Sequence, residues 1–462
     1  MKSNERYLFS LVNIIIFLLI LSVSYSSAGT LLQPQHLTYE GAFRVPHGNL
    51  GGASTYAQTL ARGGAGLTYN EKNNSLILIS RYSEKLAVEI SIPTPLIGVV
   101  ASLNTATVVQ EPGDIANSQW NNLTTDSSPI GNGGLPGGLL VYNNKLIGSA
   151  YAYYDGGYAA ARSHFTSSLQ WATNGAEYQG MYRVGVHPIN PSAVNGGFVG
   201  GYMAEVPNDW KSLLGYPALT GKGALAIIGR TSMGPSVWGF DPDALNATDP
   251  ADAEFFIGYP SSYPTIGTYQ GPSLLYNMAT QLNGLVFPSG SDSLLFFGRH
   301  GLGFTGDGAG CYGLGVSDPA LHGTYNTAEG VTNCYDPVNS GKGEHGYPYV
   351  HQVWAYDANE ILRVKKGLAN PWDLVPYAYW NFDLPYDDGT RHEINGVAYD
   401  STSQRIFISQ SMTDSISNPY EPYPIIHVFK LDIAAAPQTE PVVEPAPQPA
   451  PIPDPPPVLR LQ

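Results

Sequence analysis

Short apolar or alternating runs, each broken by Gly, Asn, Asp or Pro, fill most of the chain. Gly66-Leu67-Thr68-Tyr69-Asn70 turns through Asn73-Asn74 into Leu76-Ile77-Leu78-Ile79. Gly396-Val397-Ala398-Tyr399-Asp400 turns through 401–404 into Ile406-Phe407-Ile408. Looser copies of this hairpin phrase lie at 137–168 and 283–297. In the first of these, Leu139-Leu140-Val141 breaks at Asn143-Asn144, resumes over 146–150, and continues into a third strand that carries Arg162 and His164. A second phrase is an aromatic strand ending in Asp, at Val237-Trp238-Gly239-Phe240-Asp241 and Val353-Trp354-Ala355-Tyr356-Asp357. Hairpins followed by an outer strand predict an all-β fold, a β-propeller. The copies are irregularly spaced, so the blades carry long inserted loops, where binding and chemistry usually sit. The strand at 37–45 is placed to complete the blade that holds 425–431 and so close the ring. The pattern bounds the ring at about five to seven blades.

Helical periodicity is confined to two short pieces, Asn208–Leu214 with Asn208 as its cap and 358–366 stopping at Gly367. At the N-terminus, Lys2 and Arg6 precede an apolar run over 8–23, and Ser26-Ser27-Ala28 supplies small residues for cleavage. Residues 1–28 therefore read as a secretory signal peptide, which implies a secreted protein. No cysteine follows the cleavage site, and no later apolar run is long enough to span a bilayer. The propeller is expected over 29–433. From 434 to 462 proline becomes dense enough to favour extended polyproline II, which makes this a stalk or linker without chemistry.

Composition narrows the partners. The 462 residues carry a formal net charge of −15 and only 13% charged side chains. That balance argues against nucleic acid, whose phosphates demand a basic footprint. An anionic polysaccharide remains compatible, because a local Arg/His cluster can hold one while distant repulsion is screened beyond roughly 10 Å at about 0.1 M salt. A monomer is expected.

Three places carry candidate chemistry. In the 137–168 stretch, Tyr151, Tyr153, Tyr154, Arg162 and His164 could form a polysaccharide-handling surface, with Tyr154 and Arg162 as substrate contacts. Strand alternation puts Arg162 and His164 on one face, so a guanidinium can hold a carboxylate while the imidazole works beside it. Arg230 stands just past the apolar strand 224–228, where a blade meets its loop, and Tyr216 lies upstream of it. The third pattern is His300, Cys311, Cys334 and His345, in a loop rich in Gly and polar residues. Two thiolates and two imidazoles make a closed tetrahedral Zn²⁺ set of structural type, with His351 able to replace His345. A Cys311–Cys334 disulfide is the alternative, natural in a secreted protein. Asp383, Asp387, Asp388 and Glu393 around His392 read as a turn, a Ca²⁺ site or a glycosidase acid/base pair. No nucleophile elbow, P-loop, dinucleotide fingerprint or H-E-x-x-H is present.

Taken in order, the tyrosine-rich hairpin ending Arg162-Ser163-His164-Phe165, the Arg230-Thr231-Ser232 strand end and the His/Cys/Cys/His loop resemble the secreted β-propeller ulvan lyases. The resemblance covers most of the chain from about His36 to Ile433. It implies a seven-bladed propeller with a structural zinc that cleaves a sulfated algal polysaccharide by β-elimination next to a uronic acid. Such a reaction needs a neutralised carboxylate, a base for the C5 proton and an acid for the departing O4. By resemblance, Arg230 neutralises, Tyr216 takes part in proton transfer and His164 assists or orients. The family has a further histidine about one hairpin earlier. Here that region reads Tyr142-Asn143-Asn144: an asparagine or tyrosine replaces that histidine, with Asn143 and Asn144 as substrate contacts, or the substrate differs, or activity is lost.

Overall fold

Apolar and alternating positions turn nearly every short run into a strand, and the runs assemble into four-stranded sheets, antiparallel in every blade. The structure is a computed structural model that describes residues 29–433, apart from 52–58, 82, 127, 132, 224–230, 268–270, 272, 304–309, 340, 342 and 388–392. Strand β1 (Leu37–Arg44) belongs to the last sheet of the chain. The first blade is β2 (Ala65–Asn70), β3 (Ser75–Ile79), β4 (Ala87–Ser91) and β5 (Val108–Gly113). The second is β6 (Gly134–Tyr142), β7 (Lys145–Ala152), β8 (His164–Ser168) and β9 (Gln179–Tyr182). The third is β10 (Met203–Glu205), β11 (Ala218–Thr220), β12 (Val237–Phe240) and β13 (Ala253–Ile257). The fourth starts with β14 (Gln281–Val286) and β15 (Ser293–Gly301). It then detours through a separate small sheet of β16 (Gly313–Val316), β17 (Tyr325–Asn326), β18 (Val331–Tyr335) and β19 (Glu344–His345), and returns as β20 (Tyr349–Asp357) and β21 (Ala378–Asn381). The fifth is β22 (Ile394–Asp400), β23 (Arg405–Asp414) and β24 (Tyr423–Leu431), completed by β1.

The ring closes as its pattern predicts: β1 runs antiparallel to β24, from Leu37 opposite Leu431 to Arg44 opposite Ile425. The innermost strands β2, β6, β10, β14 and β22 touch in one closed cycle, so the propeller has five blades among the described residues. Seven blades, implied by the resemblance, is corrected to five. The extra strands of the fourth blade's long connection form a small sheet of their own rather than another blade.

Five blades leave a narrow axis, and glycine makes the approach possible. A Cβ on Gly137 would lie 2.0 Å from the Gly200 carbonyl oxygen, and one on Gly396 would lie 2.6 Å from the Leu67 nitrogen. The inner strand β22 therefore meets β2 backbone to backbone, and β6 meets the segment that leads into β10 in the same way. Between blades the second aromatic phrase supplies the packing. Trp238 and Phe240 fill the space between the second and third blades with Leu140 and Ile147, while Trp354 and Tyr356 fill that between the third and fourth with Tyr202 and Leu219. All four aromatic rings are buried, each contributing about 2–3 kcal/mol of apolar burial.

The two ends of the ring differ by construction. Connections from first to second and from third to fourth strand emerge at one end, here the turn end. It includes the tight turns at 71–74, 143–144 and 401–404 and two short helices, Asn208–Leu214 and Ala358–Lys365. The helices lie where periodicity predicts, but Pro207 rather than Asn208 occupies the N-cap, and Asp357 caps the second by accepting the Asn359 N–H. Asn143 and Asn144 both have positive φ, the geometry a two-residue hairpin turn requires. The other end, the loop end, carries the long connections, including the disulfide-bearing excursion between Gly301 and Tyr349.

Candidate functional site: the cavity at the turn end

Each inner strand delivers its last residues to the axis at the turn end. There they surround a cavity of about 640 Å³, within the range of small-ligand sites. Its upper wall is apolar, including Leu67, Leu140, Met203, Val286 and Val397. At the mouth, the half-buried Tyr69, Tyr142 and Tyr399 stand at corresponding ends of three inner strands, while Phe287 and Val206, at the same level of the other two, are buried in the core with Trp210. The hydrophobic repeat thus brings three tyrosines to one opening.

The three phenols keep their protons. Burial, followed by the charge of Asp400, pushes Tyr69 up to about 12. Burial and then Asp241 and Asp243 raise Tyr142. Burial also raises Tyr399, against opposing hydrogen bonds from Ser289. Tyr69 Oη donates to Asn74 Oδ1 at 3.0 Å, and Tyr399 Oη donates to Gln404 Oε1 at 2.8 Å. Charge around the mouth is mixed, with Glu71 and Glu205 set against Lys72 and Lys211. Lys211 Nζ lies 2.7 Å from Glu205 Oε1. Apolar walls, neutral hydroxyls, amides and balanced charge suit a ligand with many hydroxyl groups better than a strongly ionic one.

The residues singled out in the sequence are divided between the ends and the core. Asn143 and Asn144 line the cavity, where Asn143 Nδ2 also donates to Asp243 Oδ2 at 2.6 Å. Tyr216 follows the Asn208–Leu214 helix at the turn end, outside the cavity lining. Its hydroxyl donates to Asp252 Oδ2 at 3.0 Å, and burial together with Asp252 raises it, which opposes a tyrosinate base. Tyr154 and Arg162 lie at the opposite, loop end, in the β7–β8 connection. The Arg162 guanidinium donates to Asn122 Oδ1 at 2.9 Å and to the Thr125 carbonyl at 3.1 Å. Arg230 lies outside the described residues.

His164, expected to assist or orient beside the substrate, is corrected to a core residue. It is fully buried against Phe240, between the second and third blades. Thr220 Oγ1 donates to the Val199 carbonyl and accepts from His164 Nε2 at 3.0 Å, while Ser163 Oγ donates to Nδ1 at 2.8 Å. Both ring nitrogens are satisfied inside the protein, and burial lowers the imidazole to about 3.

The zinc set does not fit either. Cys311 and Cys334 form a disulfide with an S–S distance of 2.05 Å, so neither supplies a thiolate. His300 meets Thr280 Oγ1 at 2.8 Å and donates to the Ser273 carbonyl at 2.7 Å. His345 donates from Nδ1 to Asp336 Oδ2 at 2.8 Å and faces the Gly341 carbonyl at 3.0 Å. Among the described residues no three His, Cys, Asp or Glu side chains gather as metal ligands. Of the carboxylates around 383–393, Asp387 meets His351 at 3.6 Å and Glu393 meets Arg299 at 3.4 Å, while Asp388 and His392 lie outside the described residues.

No family model and no curated protein matches this chain. Solved structures similar to it include a luciferin-regenerating enzyme, with 8% identity over 80% of this chain and 92% of that one and a TM-score of 0.32. A native arabinanase from Bacillus subtilis has 10% identity over 85% and 96% of the two chains, at a TM-score of 0.41. The Dos1 propeller has 9% identity over 79% and 66%, at 0.29. Likeness this distant carries no argument about chemistry, and the chain's own strand pairing identifies it as a β-propeller.

Proposed function

We propose that this protein is a secreted glycan-binding propeller that seats a polysaccharide at the axial cavity of its turn end. The observation that carries the reading is the set of three half-buried tyrosines, Tyr69, Tyr142 and Tyr399, around a cavity with an amide and hydroxyl rim. Aromatic faces stack on the apolar faces of sugar rings, and neutral phenols and amides both give and accept hydrogen bonds with hydroxyl groups. The mixed charge at the mouth favours neutral stretches of a glycan over runs of carboxylate or sulfate.

Chain cleavage by β-elimination is the activity that the sequence resemblance implies. Against the set named for it stand the burial of His164 and the raised Tyr216 hydroxyl, paired with a carboxylate. The decisive experiment is calorimetric titration of purified protein with a panel of neutral and uronate-containing polysaccharides, alongside the ultraviolet absorbance of unsaturated uronates. Binding of a neutral glycan that Tyr142→Ala and Tyr399→Ala each weaken about fivefold, on the order of 1 kcal/mol, is expected. Binding indifferent to both substitutions would remove the cavity from the account. A sustained absorbance rise on a uronate glycan would restore the lyase reading.

A further inference from the structure

Ring closure brings together two segments about as far apart in sequence as this chain permits. Arg44 and His47 follow from the outermost strand β1, and Asp414 and Ser417 from the end of β23, 370 residues away. Both emerge at the loop end of the fifth blade. Ser417 is exposed, and its Oγ lies 2.6 Å from His47 Nδ1. On the far side of the same ring, Nε2 lies 2.8 Å from Asp414 Oδ2, although off the line of a well-aligned hydrogen bond.

The rest of the environment fixes the parts in place. Asp414 is fully buried and accepts from Arg44 Nε at 2.7 Å and Arg44 Nη2 at 3.3 Å, and from the Ile416 N–H at 3.2 Å. Burial opposes its ionisation, but the close His47 imidazole and the hydrogen bonds from Arg44 and the Ile416 N–H outweigh this and hold the carboxyl at about 2. The imidazole stacks on Tyr423, with ring centroids 4.1 Å apart, and Tyr423 is itself tied to Gly48 and Thr59. Arg44 Nη2 also points at Nδ1 from 3.4 Å, which makes Nδ1 the acceptor. The tautomer with its proton on Nε2, facing Asp414, leaves one lone pair on Nδ1, which the Ser417 hydroxyl meets at 2.6 Å and the guanidinium only at 3.4 Å.

From this geometry we infer that Ser417, His47 and Asp414 form a nucleophile, general base and orienting carboxylate for hydrolysis of carboxylic esters. Such constellations are recognised by geometry and roles, not by sequence order. Ser417 Oγ bonds to the acyl carbon while His47 Nδ1 takes the hydroxyl proton. Collapse of the tetrahedral adduct breaks the ester C–O bond, and Nδ1–H returns the proton to the departing alcohol. Water then attacks the acyl-serine by the same route, releasing a carboxylic acid and restoring Ser417. Ser417 stands on an exposed rim, so the fitting substrate presents its ester outward, as an acyl group borne on a polymer does. Asp414 and Arg44 act as positioning residues. This inference stands apart from the glycan cavity at the other end of the ring.

Reaction of the full chain with a fluorophosphonate probe, followed by peptide mass spectrometry, tests it directly. A single adduct on Ser417 is expected, with p-nitrophenyl acetate hydrolysis reduced at least ~10³-fold in both Ser417→Ala and His47→Gln. Ser417 is a surface residue, so its replacement should leave the thermal melt unchanged and the comparison clean. Absence of an adduct on Ser417, or esterase activity equal to wild type in either variant, would overturn the assignment.

Discussion

The two ends of the ring solve different problems with the same five blades. At the turn end, short connections leave the axis open, and inner-strand ends converge on it as aromatic and amide side chains. At the loop end, long connections bring charged and imidazole groups together and spend most of them on one another: Arg299 with Glu393, His345 with Asp336, and Arg44 with Asp414. A titratable group is therefore a poor guide to function here unless its partners are known. His164 and Ser417 make the point. The first is chemically promising and sealed in the core; the second is unremarkable in sequence and stands exposed beside a base.

The comparison depends on tight closure at the axis, and the largest expected effect comes from breaking it. Gly137→Val should destabilise the protein by at least about 3 kcal/mol, because its first side-chain atom would occupy the place of the Gly200 carbonyl oxygen. Urea unfolding measures this, and a loss below about 1 kcal/mol would mean that the inner strands are not in backbone contact.

The next effect tests whether the loop end is modular. The Cys311–Cys334 bridge spans 23 residues, and chain entropy gives such a closure about 3 kcal/mol. All of it falls within the excursion between β15 and β20. The Cys311→Ser/Cys334→Ser double variant should lose amide protection over 313–345 in hydrogen exchange while β14, β15 and β20 keep theirs. Loss of protection on chelator treatment of the unmodified protein would instead return the four-ligand zinc reading.

A smaller effect separates core histidines from working ones. Burial lowers His164 and His427 to about 3 and His300 to about 4. Each is neutral in the folded protein, whereas the unfolded chain takes up a proton below about 6.5. Their contribution is thus complete above that pH and is lost as pH falls toward 4, by about 1.4 kcal/mol per pH unit for each histidine. His164→Gln should remove one such increment from the slope of stability between pH 6 and 4. An unchanged slope would place His164 within reach of solvent and reopen its catalytic role.

Much of the fold was legible because its signal is local. Hairpin phrases, the aromatic strands at Val237 and Val353, the two short helices and the closing strand at 37–45 all follow from apolar period and turn residues. The three tyrosines at the mouth were legible in part: the repeated phrases end in Tyr69-Asn70, Tyr142-Asn143 and Tyr399-Asp400, so their strand ends could have been superposed. At the same level of the other two inner strands, Phe287 and Val206 turn into the core instead, which their looser sequence does not reveal.

What the sequence determined by itself is the choice of β-strands, their pairing into hairpins and the closure by β1, since period and turn chemistry act over a few residues. The tertiary structure alone decided the number of blades, the state of the cysteines and the company each polar side chain keeps. Blade number depends on how sheets pack around an axis, and the partners of His164 and His47 lie 56 and 370 residues away. Whether an imidazole is a core contact or a base is set by those distant neighbours, which no local pattern encodes.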